Sequence, residues 1–273
     1  MAQNEIIRRH RAIGDDYPFR IDDKGHALQL TDPVTSVGSI YLFCLYLSHS
    51  YNGVIVPKEL APKVTNEIRD LFQACATVAA GGFVEGPAIS FGWPRPEGEG
   101  LLKALHRVYG KFGDGKPHAT PRPAAPARVK DDGIDVIAWR RTRDTLPCTL
   151  YLVAQVASGA DWKNKSVVAD RKHFHKYWFS NMPASQPHDA MFMPFELEPE
   201  DPKNGTPYEE VLRDYMSSEG YRFGTLFYRD RIVEHVAKGM KLIAEGETDI
   251  ERHEHLALVT KWVDEYTARL RAA

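Results

Sequence analysis

The chain has 273 residues, 43% of them hydrophobic, so it can supply the core of one large domain or of two small ones. It contains no apolar run of roughly 18 residues that could cross a membrane, and its N-terminal segment lacks the apolar centre of a signal peptide. The net charge is only -2, but residues 103–172 hold 14 Lys and Arg against 7 Asp and Glu. We therefore expect a cytoplasmic protein without a membrane partner. Its basic third is expected to bind a polyanion such as nucleic acid, with a solvated basic face as the commoner alternative.

The three cysteines, Cys44, Cys75 and Cys148, are far apart, odd in number and each set among apolar residues. Disulfide frameworks and zinc sites use paired or closely spaced cysteines. The pattern therefore predicts three reduced thiols in the core and no metal site built on sulfur.

Residues 1–95 predict a helical layer or subdomain. Residues 17–30 form two alternating runs around a polar turn, which is typical of a β-hairpin. Residues 35–50 are apolar on most faces and predict a buried helix, and residues 64–82 have apolar positions at helical spacing, closed by Gly81 and Gly82. We expect these two helices to pack on each other.

Residues 96–273 predict an α/β core in which strands and helices alternate. An irregular Gly- and Pro-rich segment at 83–100 leads into a helix at 101–115 that should pack on the sheet, and a proline-rich connection follows at 116–130. The remaining predicted elements are strands at 133–141 and 148–156, a helix at 171–182, a strand at 189–197, a helix at 207–220, a strand that becomes a helix near Asp230, and a helix at 249–270. Its packed side is Ile250, Leu256, Leu258, Val259, Trp262, Val263 and Tyr266.

Polar side chains gather where the two central strands meet. Asp135 lies in the first strand and Gln155 at the end of the second, so a simple hairpin brings both to one rim of the sheet. A buried carboxylate must be paired, protonated or bound to a cation. Asp135 is therefore either a magnesium ligand or a strand-end aspartate satisfied by backbone N–H groups, Arg140 or Arg141.

A magnesium ion held by Asp135 and the neutral Gln155 needs another carboxylate. Glu97 and Glu99 are the candidates, and we favour Glu99 because it is nearest to the predicted helix start; either could instead be an exposed cap residue. Lys163 and Lys165 follow the second strand and could orient a water or stabilise charge on a phosphate, or simply be solvated.

The histidine pairs in His173-Phe174-His175 and His253-Glu254-His255 have i, i+2 spacing. On a helix such pairs point to different sides and cannot chelate one metal ion. We interpret all four as surface histidines.

The residues GIDVIAW, followed by YLVAQ and then by lysines, resemble the restriction-endonuclease-like nucleases of the PD-(D/E)xK superfamily. The segment QVASGADWKNK is similar in sequence to defence-associated bacterial members of this superfamily. The resemblance covers residues 97–170 and implies a mixed central sheet flanked by helices, to which this chain adds N-terminal helices and a long C-terminal helix. In that family a helix acid, a strand aspartate and a D/E/Q-x-K triplet bind magnesium and activate water. By resemblance these are Glu99, Asp135 and Gln155.

The chain departs from the family pattern at Ala157, which stands where the triplet has its lysine, so Lys163 or Lys165 would supply the amine. The resemblance implies an endonuclease that uses Mg²⁺, with Mn²⁺ as a substitute, to cut double-stranded DNA in bacterial antiviral defence or restriction. A homodimer or a partner subunit is left open. The alternative is a catalytically inactive nuclease-like module that binds nucleic acid or a partner subunit, and action on RNA or a nucleotide signal is a third reading.

Overall fold

A five-stranded mixed β-sheet with helices on both faces forms the centre of the chain. It is seen in a computed structural model that describes residues 2–22, 24–25, 27–52, 59–95, 98–125, 130–197 and 206–273. This architecture confirms the expected α/β class with a mixed central sheet flanked by helices. Within the described residues, no helix combines the length and the apolar character that crossing a bilayer requires.

The strands in the described part of the chain form one large sheet and two small ones. The small sheets pair β1 (Phe19–Ile21) with β2 (Leu28–Leu30), which confirms the predicted hairpin, and β4 (Lys116–Pro117) with β7 (Phe179–Asn181). The central sheet has the order β3 (Ala88–Ser90), β5 (Val136–Trp139), β6 (Tyr151–Val156), β8 (Pro187–Phe192) and β9 (Thr225–Phe227). The first three of these strands are antiparallel neighbours, whereas β6, β8 and β9 are parallel.

The helices are α1 (Ala2–Ile13), α2 (Ser36–Asn52), α3 (Asn66–Val84), α4 (Leu101–Phe112), α5 (Val167–Trp178), α6 (Tyr208–Phe223), α7 (Arg229–Ala244) and α8 (Leu256–Arg271). Parallel strands need a crossover connection, and α5 and α6 supply it between β6 and β8 and between β8 and β9. The α7 helix begins directly after β9, close to the predicted start at Asp230.

Side chains of β5 and β6 alternate between two cores, as strand geometry requires. Val136, Ala138, Leu152 and Ala154 join the core that α2, α3, α7 and α8 cover. Their sequence neighbours Ile137, Trp139, Tyr151 and Val153 join a second core with α4 and α5, which confirms that α4 packs on the sheet. A third cluster lies beside α5 and α6 and includes Ala157, Met191 and Leu226.

The predicted end of α3 at Gly81 and Gly82 is wrong, because the helix continues to Val84. These glycines sit inside the helix so that another chain segment can approach it closely. A Cβ atom on Gly82 would lie 2.0 Å from the carbonyl oxygen of His235 in α7, and one on Gly239 of α7 would lie 2.5 Å from that of Val78. The close partner of α3 is therefore α7, not α2 as we expected; α2 packs on α7 and α8.

Other sequence expectations also change. The segment predicted to be irregular contains β3, whose residues are all buried, so residues 1–95 contribute an edge strand of the central sheet. Leu258, placed on the packed side of the last helix, is 52% exposed. Cys44 and Cys75 are buried free thiols, as predicted, whereas Cys148 is exposed because it lies in the loop between β5 and β6.

Candidate functional site

The β5–β6 hairpin places Asp135 and Gln155 at one rim of the central sheet. Asp135 directly precedes β5, and Gln155 is the penultimate residue of β6. The antiparallel register sets Val136 opposite Ala154, so the start of one strand meets the end of the other. This is the arrangement that the sequence predicted for these two side chains.

The Asp135 carboxylate accepts a backbone hydrogen bond, and its pKa is raised. Its Oδ2 atom accepts a 2.8 Å hydrogen bond from the backbone N–H of Val156. Burial raises the pKa of Asp135 to about 6; the Lys165 ammonium opposes this rise and the neighbouring Asp131 carboxylate adds to it. Arg140, one alternative partner, instead binds Glu85.

Gln155 presents a buried oxygen at the same rim. The side chain is only 3% exposed, and its Nε2 atom donates a 2.5 Å hydrogen bond to Oδ2 of Asp170, in the first turn of α5. The reverse orientation of the amide would set its oxygen against the Asp170 carboxylate. The Oε1 atom is buried without a hydrogen-bond partner among the described residues. Such a group costs free energy unless something binds it.

Two glycines allow these groups to come together. A Cβ atom on Gly92 would lie 2.8 Å from Oδ1 of Asp135 and 2.6 Å from Nε2 of Gln73, a residue of α3. Gly133 has a φ of +81°, and a Cβ atom there would lie 3.1 Å from Nε2 of Gln155. The first position needs the space, and the second needs both the space and the left-handed backbone that favours glycine.

Gln73 is the helix side chain that lies against Asp135. It is 9% exposed, and its Nε2 atom donates 2.9 Å to the Ser90 hydroxyl and, at 3.5 Å, to the backbone oxygen of Asp135. Gln73 was not among the predicted site residues, although a polar side chain between Phe72 and Ala74 in a buried helix was a usable signal. Asp170 and Asp131 were not predicted either.

Glu99, the favoured third ligand, is engaged elsewhere. Its carboxylate forms a 3.1 Å ion pair with Arg107 of α4, and the same arginine also binds Glu251 at 2.8 Å. Gln73 is the helix side chain found beside Asp135, whereas the Glu99 carboxylate pairs with Arg107 of α4. Glu97, the other candidate, lies outside the described residues.

The two candidate lysines have different environments. The Nζ atom of Lys165 donates a 3.1 Å hydrogen bond to the carbonyl oxygen of Val156, at the end of β6, and interacts electrostatically with Asp135. The Nζ atom of Lys163 is exposed and lies 5.7 and 5.8 Å from the ring centroids of Trp162 and Tyr215. The structure thus brings Lys165, rather than Lys163, to the rim.

Ala157 explains why the lysine is displaced. It is 3% exposed and belongs to an apolar cluster with Trp162, Val167 and Met191. A lysine at this position would leave an ammonium group among apolar side chains, which is costly. The chain instead turns through residues 158–164 and returns Lys165 to the end of the same strand.

His175, predicted to be a surface histidine, is buried. It is 5% exposed, and its Nε2 atom lies 2.9 Å from the Tyr151 hydroxyl, which also contacts the Tyr109 hydroxyl. Burial lowers the pKa of His175 to about 4. The i, i+2 spacing correctly separates it from the exposed His173, but it gives no information on which of the two faces the core.

The residues at the rim supply part of a site for a hard divalent cation, without the second carboxylate, Glu99, that the sequence predicted. Magnesium uses one or two carboxylates with neutral oxygens and leaves positions for phosphate and water. Asp135 supplies a carboxylate and Gln155 an orphaned buried oxygen, with the Gln73 amide alongside. Over the part of the chain that the structure describes, no three His, Cys, Asp or Glu side chains converge as a metal-binding group.

Comparisons of the chain with family models, with curated proteins and with solved structures give no match. The fold and the geometry of the rim are therefore the basis for the function that follows.

Proposed function

We propose that this chain is a metal-dependent phosphodiesterase of the restriction-endonuclease-like class, an endonuclease that acts on DNA in bacterial defence or restriction. The observation that carries the proposal is the buried, unpartnered Oε1 atom of Gln155 on the rim that it shares with Asp135. A buried amide oxygen and a buried carboxylate are compensated together when one cation binds both. The mixed sheet flanked by helices is compatible with this class.

In this proposal Asp135 and Gln155 hold Mg²⁺ or Mn²⁺. The bound cation would polarise the phosphate and lower the pKa of a nearby water. Val156 N–H fixes Oδ2 of Asp135, and Asp170 fixes the Gln155 amide with its oxygen free. Partners of this kind orient the groups that contact a metal ion and are needed for tight binding.

Lys165 is the proposed amine of the site. Its hydrogen bond to Val156 O keeps the ammonium at the end of β6, close to Asp135. A cation fixed there can orient an incoming water and stabilise the negative charge that builds on the phosphate. Lys163, which lies over two aromatic rings, has no role in this scheme.

A catalytically inactive nucleic-acid-binding or partner-binding module is the second candidate. The arrangement of Gln73 favours it, because an amide lies against Asp135 where the family resemblance implies an acid. Neutral amide oxygens bind Mg²⁺ more weakly than carboxylates do. The two candidates differ in whether the chain cuts DNA.

Cleavage of supercoiled plasmid DNA in Mg²⁺ or Mn²⁺ separates the candidates. We expect the wild-type chain to nick the plasmid, Asp135→Ala to be inactive, and Lys165→Met to lose on the order of 100-fold in rate. Lys163→Met is the matched control, since it removes a lysine two residues away whose ammonium lies over the Trp162 and Tyr215 rings, and it should cut like wild type.

Equal cutting by wild type and Asp135→Ala would refute the proposed site. If wild type does not cut under either metal but binds the plasmid in a gel-shift assay, the inactive module is the better account. Equal loss in Lys163→Met and Lys165→Met would remove the specific role given to Lys165.

A further inference from the structure

An exposed tryptophan stands next to the rim. Trp93 is 43% exposed, and it directly follows Gly92, where an added Cβ atom would lie 2.8 Å from Oδ1 of Asp135 and 2.6 Å from Nε2 of Gln73. The backbone N–H of Trp93 donates a 3.3 Å hydrogen bond to Oδ2 of Asp131, the carboxylate that acts electrostatically on Asp135. The Trp93 backbone is therefore tied to the candidate site by its hydrogen bond to Asp131 and by its position next to Gly92.

The Trp93 ring is supported from behind by a buried cation. The guanidinium carbon of Arg95 lies 5.4 Å from the Trp93 ring centroid and 5.5 Å from that of Phe91. Arg95 is only 4% exposed, and it is fixed by hydrogen bonds to the carbonyl oxygens of Glu99 at 2.9 Å and Phe91 at 3.3 Å. The ring therefore lies against Arg95, while 43% of the residue remains exposed.

A solvent-exposed indole held in one place is an unusual use of a residue that normally buries most of its surface. Aromatic faces of this kind stack on the bases of single-stranded nucleic acid, and a base in an intact duplex cannot reach such a ring unless it leaves the stack. Residues 103–172, the segment that contains Asp135 and Gln155, hold 14 Lys and Arg against 7 Asp and Glu. An excess of positive charge in this segment suits the phosphates that accompany the bases.

We propose that Trp93 is a substrate-binding residue that stacks on an unpaired base of DNA beside the phosphodiester held at the Asp135–Gln155 rim. This inference rests on the proposed function and narrows it. The preferred ligand is DNA with a base outside the duplex stack, either in a single strand or as an extrahelical nucleotide, rather than continuous double-stranded DNA.

Fluorescence anisotropy in EDTA tests the proposal without hydrolysis. The probes are a fluorescein-labelled single-stranded oligothymidylate, the same strand with abasic sites in place of the bases, a blunt duplex, and a duplex with one unpaired thymine. Trp93→Ala removes the ring, Trp93→Phe keeps an aromatic face, and Tyr221→Ala is the control, because it removes an aromatic residue on α6 that is 87% exposed.

We expect wild type to bind the base-containing strand more tightly than the abasic strand, and Trp93→Ala to lose about tenfold or more in affinity for the former only. Trp93→Phe should keep most of the preference, and Tyr221→Ala all of it. If Trp93 only covers Arg95, Trp93→Ala unfolds at lower urea concentration, yet its folded form still prefers the base-containing strand as wild type does, and the proposal fails. The two duplex probes show which source of unpaired base is used.

The outcomes separate this inference from the proposed function. Plasmid cutting that depends on Asp135, with oligonucleotide binding unaffected by Trp93→Ala, would overturn the stacking role and leave the phosphodiesterase. Binding that depends on Trp93, without cutting under any metal, would support the stacking role in an inactive module. Tighter binding of the blunt duplex than of every probe with an unpaired base would also overturn it.

Discussion

Two buried aspartates have a carboxyl pKa raised to about 6, but their neighbours differ. Asp230, at the start of α7, is 2% exposed and lies among the guanidinium groups of Arg8, Arg9 and Arg229, with Arg8 at 3.2 Å. Asp135 has the single ammonium of Lys165 among the causes of its shift, together with the repelling Asp131. Burial is the largest cause in both cases.

The comparison shows that a raised pKa does not by itself define a functional site, since structural ion clusters perturb ionisation too. Asp230 has its charge matched by arginines that link α1, α2 and α7, and Arg229 also donates to the Ser48 hydroxyl at 2.9 Å. Both places hold buried polar atoms without a hydrogen bond among the described residues: Oδ1 and Oδ2 of Asp230 in the first, and the neutral Oε1 of Gln155 at the Asp135 rim. The difference lies in the charges nearby: three arginines oppose the rise in the Asp230 pKa, whereas only Lys165 opposes that of Asp135, and the proposed cation would supply the remaining charge at the rim.

The largest expected effect lies in the Asp230 cluster. Arg229 is 3% exposed, and Arg229→Met leaves the Asp230 and Glu196 carboxylates with less compensating charge. Removing one partner of a buried charge cluster is expected to cost about 3–5 kcal/mol of unfolding free energy. Urea denaturation measures it. Arg140→Met, which breaks an exposed ion pair with Glu85, is the control and should cost less than about 1 kcal/mol; an equal midpoint for both variants would contradict the structural role.

A second prediction concerns the pH dependence of stability that arises from His175. The pKa of His175 is about 4 in the folded chain, below the ordinary value of 6.5, so this imidazole binds more protons in the unfolded chain between these values. The contribution of His175 to stability is therefore complete above pH 6.5 and is lost as the pH decreases towards 4. His175→Gln, which keeps an acceptor for Tyr151, should remove this loss, worth about 2 kcal/mol between pH 7 and pH 5. Parallel curves of unfolding free energy against pH for wild type and His175→Gln would contradict this prediction.

The smallest expected effect is a change in stability on replacing Asp135 at the rim. Asp135→Asn keeps an acceptor for the Val156 N–H and removes a buried charge, so we expect the variant to be about 1 kcal/mol more stable than wild type in EDTA. Mn²⁺ should reverse or reduce the difference, because only wild type gains stability by binding it. Thermal unfolding with and without Mn²⁺ measures this, and a variant less stable than wild type in EDTA would contradict it.

The sequence predicted the parts of this molecule that depend on local patterns. The alternating apolar residues of β5 and β6 and the short connection between them are enough to place Asp135 and Gln155 at one rim. Gln73 and Asp170 were missed because they reach the rim from α3 and α5, and no local period reports which helix residue faces which strand.

Lys165 and Lys163 differ by two positions in a turn, and sequence could not choose between them. The choice depends on the burial of Ala157 and on the way residues 158–164 return to β6, which are tertiary features. The error at Gly81 and Gly82 has the same origin. Glycine can end a helix or admit a neighbouring one, and only the position of α7 distinguishes the two uses.

Mn²⁺ binding to the chain is the measurement that tests the central claim most directly. Isothermal titration calorimetry of wild type, Asp135→Asn and Asp230→Asn compares the two buried aspartates in one experiment. The account predicts that wild type and folded Asp230→Asn bind Mn²⁺ alike and that Asp135→Asn binds at least about tenfold more weakly. Equal Mn²⁺ affinity in wild type and Asp135→Asn would contradict it.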